Sequence, residues 1–131
     1  MSKTKMMTWP IGMFGYDFSL CLDEASWKKH WNKIDPEYTL DRRPYPPSYG
    51  GTTFFAKDVT KYTDKAHAVV TINPPDDRGI ELAAIFCHEA VHIKQEICKV
   101  IQEEKMSDEV EAYLVQYISY GLMDMYKEMA L

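Results

Sequence analysis

Long hydrophobic runs are missing from this sequence. The longest covers residues 82–87, far short of the roughly 20 residues that a membrane-spanning helix needs. Near the N-terminus, Pro10, Gly12 and Asp17 interrupt any apolar stretch of the length that a secretory signal requires. We therefore expect neither secretion nor a membrane partner.

Cysteine and positive charge are also scarce. Cys21, Cys87 and Cys98 include no C-x-x-C pair, and the last two lie about 16 Å apart if they share one helix, too far for a disulfide. Such thiols predict a reduced, cytoplasmic protein. The 15 Lys and Arg residues against 20 Asp and Glu residues give a net charge of -5. That balance argues against a nucleic-acid partner, because binding to phosphates relies on clustered cations.

Apolar residues are plentiful enough for one core. They make up 46% of the 131 residues, and no repeat or linker divides the chain, which predicts a single domain spanning residues 1–131. A chain of this length buries roughly two-thirds of its unfolded surface and can fold without a metal. Any metal would therefore serve chemistry rather than folding.

The first half of the chain carries strand patterns and one helix. Asp23 can cap a helix whose Trp27, Trp31 and Ile34 share one face, and we expect both tryptophans in the core. The residues 36–51, rich in proline and glycine, predict a long ordered loop. Three segments have the apolar pattern of strands: residues 14–22, 52–57 and 67–73.

The second half is helical. Apolar residues surround almost every side of a helix predicted from Ile80 to about Cys98, which indicates a central, buried helix. Ser107 and Asp108 are suited to start a last helix. Its apolar stripe comprises Val110, Leu114, Tyr117, Ile118, Gly121, Leu122 and Met125. Because strands come first and helices last, the sequence predicts an α+β fold.

The buried helix carries the motif H-E-x-x-H at His88, Glu89 and His92. Residues four apart lie one turn apart on the same face, so both imidazoles can reach one Zn²⁺ at about 2.0–2.1 Å. Glu89 lies beside them, where it can hold a water molecule and accept its proton. Two imidazoles and a carboxylate are unfavourable in an apolar helix unless something satisfies them. These considerations favour a metal site over buried polar groups that are satisfied by other means.

A catalytic zinc ion usually takes a third protein ligand. Glu96 is excluded, because eight residues of straight helix place its Cα about 12 Å from that of His88. Asp108, Glu109 and Glu111 at the start of the last helix are better candidates. The alternative is that these acidic residues only interact favourably with the helix dipole.

The two motifs together resemble those of the gluzincin metallopeptidases. His88–His92 followed by Glu109-Val110-Glu111-Ala112-Tyr113 is similar to H-E-x-x-H with a downstream E-x-x-A-[D/N], as in compact bacterial and phage-borne antirepressor-cleaving peptidases and in prenyl-protein proteases. The resemblance covers residues 66 to about 125, and Tyr113 departs from the usual Asp or Asn. It implies a zincin-like fold, with a small N-terminal sheet, one helix, an active-site helix and a C-terminal ligand helix.

The resemblance also implies an activity and a ligand set. Zn²⁺ would be held by His88, His92 and Glu109, and Glu89 would act as general base in the hydrolysis of a peptide or protein substrate. A phage or bacterial cytoplasm would be the setting. The rival hypothesis is a zincin-fold metal-binding regulatory module with little or no turnover.

Within this resemblance, residues 68–72 are expected to form the edge strand that lines the cleft and pairs with an extended peptide. The alternative is a strand paired on both sides. His30 and His67 are expected to be hydrogen-bonded structural residues. Tyr113, Tyr117 and Tyr120 are expected in the core.

The third ligand makes a demand on helix length. In a tight helical hairpin turning near Lys105, Glu109 would lie about 18 Å from the metal along the helix axis. We therefore expect the first helix to end between Cys98 and Glu103, so that the chain returns to the site. If it ran on through Lys105, Asp124 would be the next candidate.

Overall fold

The computed structural model describes residues 5–34, 45, 50–56, 66–76, 78–101 and 106–130. In these ranges the protein is a mixed α+β fold with one four-stranded sheet and three α-helices. The elements, in chain order, are β1 (Met6–Ile11), β2 (Tyr16–Cys21), α1 (Glu24–Ile34), β3 (Gly50–Ala56), β4 (Ala66–Asn73), α2 (Ile80–Val100) and α3 (Asp108–Ala130).

The sheet has the strand order β1-β2-β4-β3. β2 and β4 run parallel, whereas β1 pairs antiparallel with β2 and β3 pairs antiparallel with β4. Of the two alternatives for residues 68–72, the edge strand is therefore wrong and the strand paired on both sides is confirmed. These residues lie in β4, which is paired on both sides and is buried along seven of its eight residues. Within the described part of the chain, β3 is the edge strand on that side.

The strand β1 was not predicted, because Met6–Ile11 shows no clean alternation and contains Pro10. A proline lacks the N–H that a central strand must donate, but it is tolerated in an edge strand. The strand predicted at 14–22 begins only at Tyr16, after a 3-10 turn over Gly12–Phe14. Gly15 ends this turn with a φ of 60°, a conformation that favours glycine.

The helix α1, which the capping and tryptophan pattern predicted, covers one face of the sheet. The backbone N–H of Ser26 donates to the Asp23 carboxylate at 2.8 Å. Trp27 and Trp31 are both buried. Their ring centroids lie 4.8 and 5.9 Å from that of Phe54 on β3, which confirms them as core residues.

The helices α2 and α3 pack on the opposite face of the sheet, and their buried residues form the larger core. The prediction that α2 is buried on every side is wrong. Val91 is 37% exposed and Ile80 is 82% exposed, because the sheet and α3 cover only part of the helix. None of the helices in the described ranges has both the length and the apolar character needed to cross a membrane.

The helix α3 follows its predicted apolar stripe only in part. Leu114, Ile118, Gly121, Leu122 and Met125 are buried. At Gly121 the helix approaches the sheet so closely that an added Cβ would lie 2.7 Å from the Phe18 ring.

The three tyrosines predicted in the core lie instead on the outer side of α3. Tyr113, Tyr117 and Tyr120 are 67%, 41% and 65% exposed. The Tyr117 hydroxyl donates to the carbonyl oxygen of Pro10 at 2.6 Å and accepts from the Trp9 indole at 2.8 Å. These bonds fasten α3 to β1 at the surface, which explains why an aromatic residue with helical spacing need not be buried.

The predicted loop at residues 36–51 lies mostly outside the described residues. Only Tyr45 and the final two positions are described, and Gly50 and Gly51 belong to β3. The Tyr45 hydroxyl donates to the backbone carbonyl of Ile72 at 2.5 Å.

Candidate metal centre

The exposed face of α2 brings the two motif histidines together. His88 and His92 lie one helical turn apart, and their Nε2 atoms are 3.1 Å from each other. Their ring centroids are 4.7 Å apart with an interplanar angle of 75°. Both residues are exposed. The expectation that both imidazoles are buried in an apolar helix is therefore wrong, and of the motif's three residues only Glu89 is buried.

The spacing of the two nitrogens fits one tetrahedral ion. With bonds of about 2.0–2.1 Å, two nitrogens 3.1 Å apart would subtend an angle of about 100° at the ion, near the tetrahedral value. The Nδ1 atom of His92 lies 3.3 Å from Oε1 of Gln95. An Nδ1–H donated to this oxygen would leave the Nε2 lone pair available for a metal.

Glu89 is 3% exposed and its carboxylate lies against the edge strand β3. The Thr53 hydroxyl donates to Oε2 of Glu89 at 2.5 Å. A Cβ added to Gly51 would lie 3.2 Å from Oε1 of Glu89 and 2.9 Å from a methyl group of Ile85. The absence of a side chain at Gly51 therefore gives the carboxylate room, while Thr53 fixes its position.

Sequence reasoning did not find Gly51 or Thr53. The only signal was the pair Gly50-Gly51, which ends the predicted loop directly before the strand predicted at 52–57, since glycine at a strand often marks a close approach by another part of the chain. Nothing in the pattern indicated which helix residue would approach it.

The motif lines a groove between β3 and α2. Two cavities of about 350 and 160 Å³ share the residues Gly51, His88 and Glu89. The first extends along Ala84 and Ile85, and the second follows β3 and reaches His92. The groove therefore exposes both imidazoles and the buried carboxylate to one ligand.

A larger apolar cavity of about 420 Å³ lies between the turn after β1 and α3. Its lining comprises Ile11, Gly12, Phe14, Val110, Tyr113, Leu114 and Tyr117. It shares no residue with the motif and offers no charged group, so its size does not make it the better candidate for chemistry.

The position of the third ligand is only partly as predicted. The helix α2 ends at Val100, inside the expected window, and α3 begins at Asp108. The Nζ atom of Lys94, two residues after His92, lies 3.3 Å from Oε1 of Glu111. The first turn of α3 therefore lies beside α2 near the motif, but Glu111 is paired with a lysine.

Glu109 lies in the same first turn and is exposed. Among the residues that the structure describes, no three His, Cys, Asp or Glu side chains are grouped closely enough to hold a metal ion. The structure thus joins His88 to His92 but does not bring Glu109 into a group of three with them. The role of Glu109 as third ligand stays a prediction.

The other two histidines are confirmed as hydrogen-bonded structural residues. The Nε2 atoms of His30 and His67 lie 2.9 and 2.7 Å from Oγ of Ser19, in a buried cluster on the α1 face of the sheet. Burial, and secondarily the charge of Lys33, lowers the pKa of His30 to about 4.

All three cysteines are free, with Cys87 exposed and Cys21 and Cys98 buried. Burial, with a smaller contribution from Asp23, raises the pKa of the Cys21 thiol to about 12. This thiol is therefore unreactive at neutral pH.

Comparison of the chain with protein-family models, with curated proteins and with solved structures finds no match. The resemblance to gluzincins consequently depends on the two short motifs, one on α2 and one at the start of α3.

Proposed function

We propose that this protein is a single-domain, zinc-dependent metallopeptidase with a zincin-like fold. One observation supports the proposal most strongly. On α2, the Nε2 atoms of His88 and His92 lie 3.1 Å apart at a groove, and the next residue in the motif holds a buried carboxylate against the adjacent strand. These are two of the three protein ligands that a catalytic zinc ion usually takes, together with a carboxylate suited to act as its general base.

In the proposal, His88, His92 and Glu109 hold the Zn²⁺ ion. A bound zinc ion supplies Lewis-acid activation of water and of a substrate carbonyl. The ion pair between Lys94 and Glu111 keeps the first turn of α3, which contains Glu109, beside α2. Residues two apart on a helix lie on different faces, so binding by Glu109 requires this turn to rotate relative to α2.

Glu89 is the general base. Its carboxylate accepts a proton from the attacking water and returns the proton to the leaving amine. The hydroxyl of Thr53 occupies Oε2, which leaves Oε1, on the Gly51 side of the groove, for proton transfer. The packing against β3 therefore orients the base before substrate binds.

The substrate class in the proposal is an extended peptide. The groove runs along β3, past Gly51, Thr52 and Phe55, and a strand-lined groove suits a main chain in an extended conformation. In the proposal, β3 rather than residues 68–72 is the strand that pairs with the extended peptide. The three free thiols support a cytoplasmic setting.

The proposal can be tested with the Glu89→Gln variant. Glutamine keeps the size and can still bond to Thr53, but it cannot accept the proton. We expect metal analysis to find one zinc ion in both proteins, and substrate-profiling mass spectrometry to show cleavage that falls about 10²- to 10⁴-fold in the variant.

Glu81→Gln, an exposed change on the same helix, is the matched control and should leave cleavage unchanged. An unaltered rate in Glu89→Gln would remove Glu89 from the mechanism. Zinc binding by the wild-type protein without any Glu89-dependent cleavage would support the metal-binding regulatory module instead.

A further inference from the structure

A second polar cavity lies on the face of the sheet opposite the motif. It is a crevice of about 280 Å³ between α1 and the start of β1. From α1 it is lined by residues at positions i, i+3, i+4 and i+7, which form one stripe of a helix. The lining residues are Lys5, Met6, Ser26, Lys29, His30 and Lys33.

The charge of this crevice is unusual for the molecule. Three of its six lining residues are lysines and none is acidic, although the chain carries a net charge of -5. Three other lysines have a carboxylate within 4 Å: Lys28, Lys94 and Lys99. Lys5, Lys29 and Lys33 have no such ion pair in the described ranges. Positive charges that line one concave site favour the binding of an anion.

The floor of the crevice is formed by His30, which is 9% exposed. Its Nε2 atom is bonded to Ser19 Oγ. Its Nδ1 atom has no hydrogen-bond partner among the described residues, and His30 lines the crevice. His30 is therefore a buried residue of the crevice lining, and its Nδ1 atom is not engaged by the described residues.

The hydrogen bonds around Ser19 allow this nitrogen to be a donor. Oγ of Ser19 lies within hydrogen-bond distance of His30, His67 and the Thr8 hydroxyl, at 2.9, 2.7 and 2.8 Å. A hydroxyl has one hydrogen and two lone pairs. If Ser19 donates to Nε2 of His30, it can accept from both other groups, and neutral His30 then carries its hydrogen on Nδ1. This arrangement requires the Thr8 hydroxyl to donate to Ser19 rather than to Sδ of Met6, which lies 3.8 Å away. The opposite tautomer places a lone pair on Nδ1.

We propose that this crevice binds a small phosphate monoester, with Lys5, Lys29 and Lys33 neutralising the dianion and the Nδ1–H of His30 donating to it. An anion repels a lone pair, so binding selects the Nδ1–H tautomer. The volume of about 280 Å³ lies just below the usual range of roughly 300–1,000 Å³ for small-molecule sites. The site accommodates a phosphate group with a small substituent, and it does not depend on the proposed peptidase activity.

The experiment is a titration of the full chain with inorganic phosphate and with methyl phosphate, at constant ionic strength maintained with chloride. Affinity is measured from backbone NMR shifts, and the His30 tautomer from the side-chain ¹⁵N shifts. The test variant is the double change Lys29→Gln and Lys33→Gln. Its control is Lys28→Gln with Lys127→Gln, which removes the same charge from residues outside the crevice.

We expect saturable binding that weakens at least about tenfold in the test variant, since charge-assisted contacts are strong, and less than about twofold in the control variant. We also expect His30 to be in the Nδ1–H tautomer when phosphate is bound. Equal weakening in both variants would show general charge attraction and overturn the proposal. So would a His30 that lacks the Nδ1 hydrogen in the bound state, or the absence of saturation at tens of millimolar phosphate.

Discussion

The four histidines form two pairs with similar ring geometry and different surroundings. His88 and His92 have centroids 4.7 Å apart at 75°, and His30 and His67 have centroids 5.2 Å apart at 65°. The first pair lies on the exposed face of one helix, with its Nε2 atoms directed at each other. The second pair connects α1 to β4 on the α1 face of the sheet, with both Nε2 atoms directed at Ser19.

The comparison shows that the proximity of two imidazoles does not make them metal ligands. In the buried pair, both Nε2 atoms are already hydrogen-bonded to the Ser19 hydroxyl. In the exposed pair, the two Nε2 atoms contact each other and no other polar group among the residues that the structure describes. Two properties distinguish a candidate ligand pair from a structural pair. One is the set of hydrogen bonds that the nitrogens already make, and the other is whether a hydrated ion can reach them.

The buried pair should make the fold sensitive to acid. Because the pKa of His30 is lowered from 6.5 to about 4, the unfolded chain binds protons that the folded chain rejects. Stability contributed by neutral His30 is fully present above about pH 6.5 and is lost as the pH falls towards 4, by up to about 3 kcal/mol.

Urea unfolding of the wild-type protein and of His30→Gln between pH 7 and pH 4 measures this loss. We expect the wild-type protein to lose stability more steeply than the variant in this window. If stability fell equally with pH in both proteins, His30 would titrate normally, and the proposed contrast between the buried and the exposed histidine pair would be wrong.

Zinc binding by His88 and His92 should depend on a third ligand from α3. If that ligand is Glu109, Glu109→Gln should weaken zinc binding by about a hundredfold, whereas Glu111→Gln should change it little, because Glu111 is paired with Lys94. Competition with a chromogenic chelator measures both affinities. The reverse order would assign Glu111 as the ligand, and equal small effects would direct attention to Asp108 or Asp124.

The proposed activity of Glu89 as general base should depend on the contact of its carboxylate with β3. Thr53→Val removes the hydroxyl that bonds Glu89, so we expect kcat to fall about tenfold with little change in KM. Thr53→Ser restores the hydroxyl and should restore most of kcat. A valine variant as active as the wild type would show that the contact only stabilises the fold.

Much of this fold could be predicted from the sequence, and the failures have a common cause. Asp23, Trp27 and Trp31 predicted α1, and the end of α2 fell within its expected window, because capping and periodicity are local properties. The strand β1 and the position of β4 depend on which strands pair, and pairing is not local. Pro10 concealed a strand that exists because β2 provides a partner for it.

The candidate site also has a part that could be predicted and a part that could not. The spacing of His88, Glu89 and His92 could be read from the sequence because the three residues lie within one helix. The contacts of Glu89 with Gly51 and Thr53 join positions separated by more than thirty residues, so no local pattern reveals them. Exposure of the two histidines was also misjudged, since apolar neighbours on a helix do not show which of its faces a sheet will cover.

The zinc content of four purified histidine variants tests the central claim most directly. His88→Ala and His92→Ala change exposed residues and should leave a folded protein. We expect the wild-type protein to hold a single zinc ion and each of these variants to lose it, because two remaining ligands bind far more weakly. His30→Gln and His67→Gln should retain it. Full zinc occupancy in both His88→Ala and His92→Ala would contradict the account.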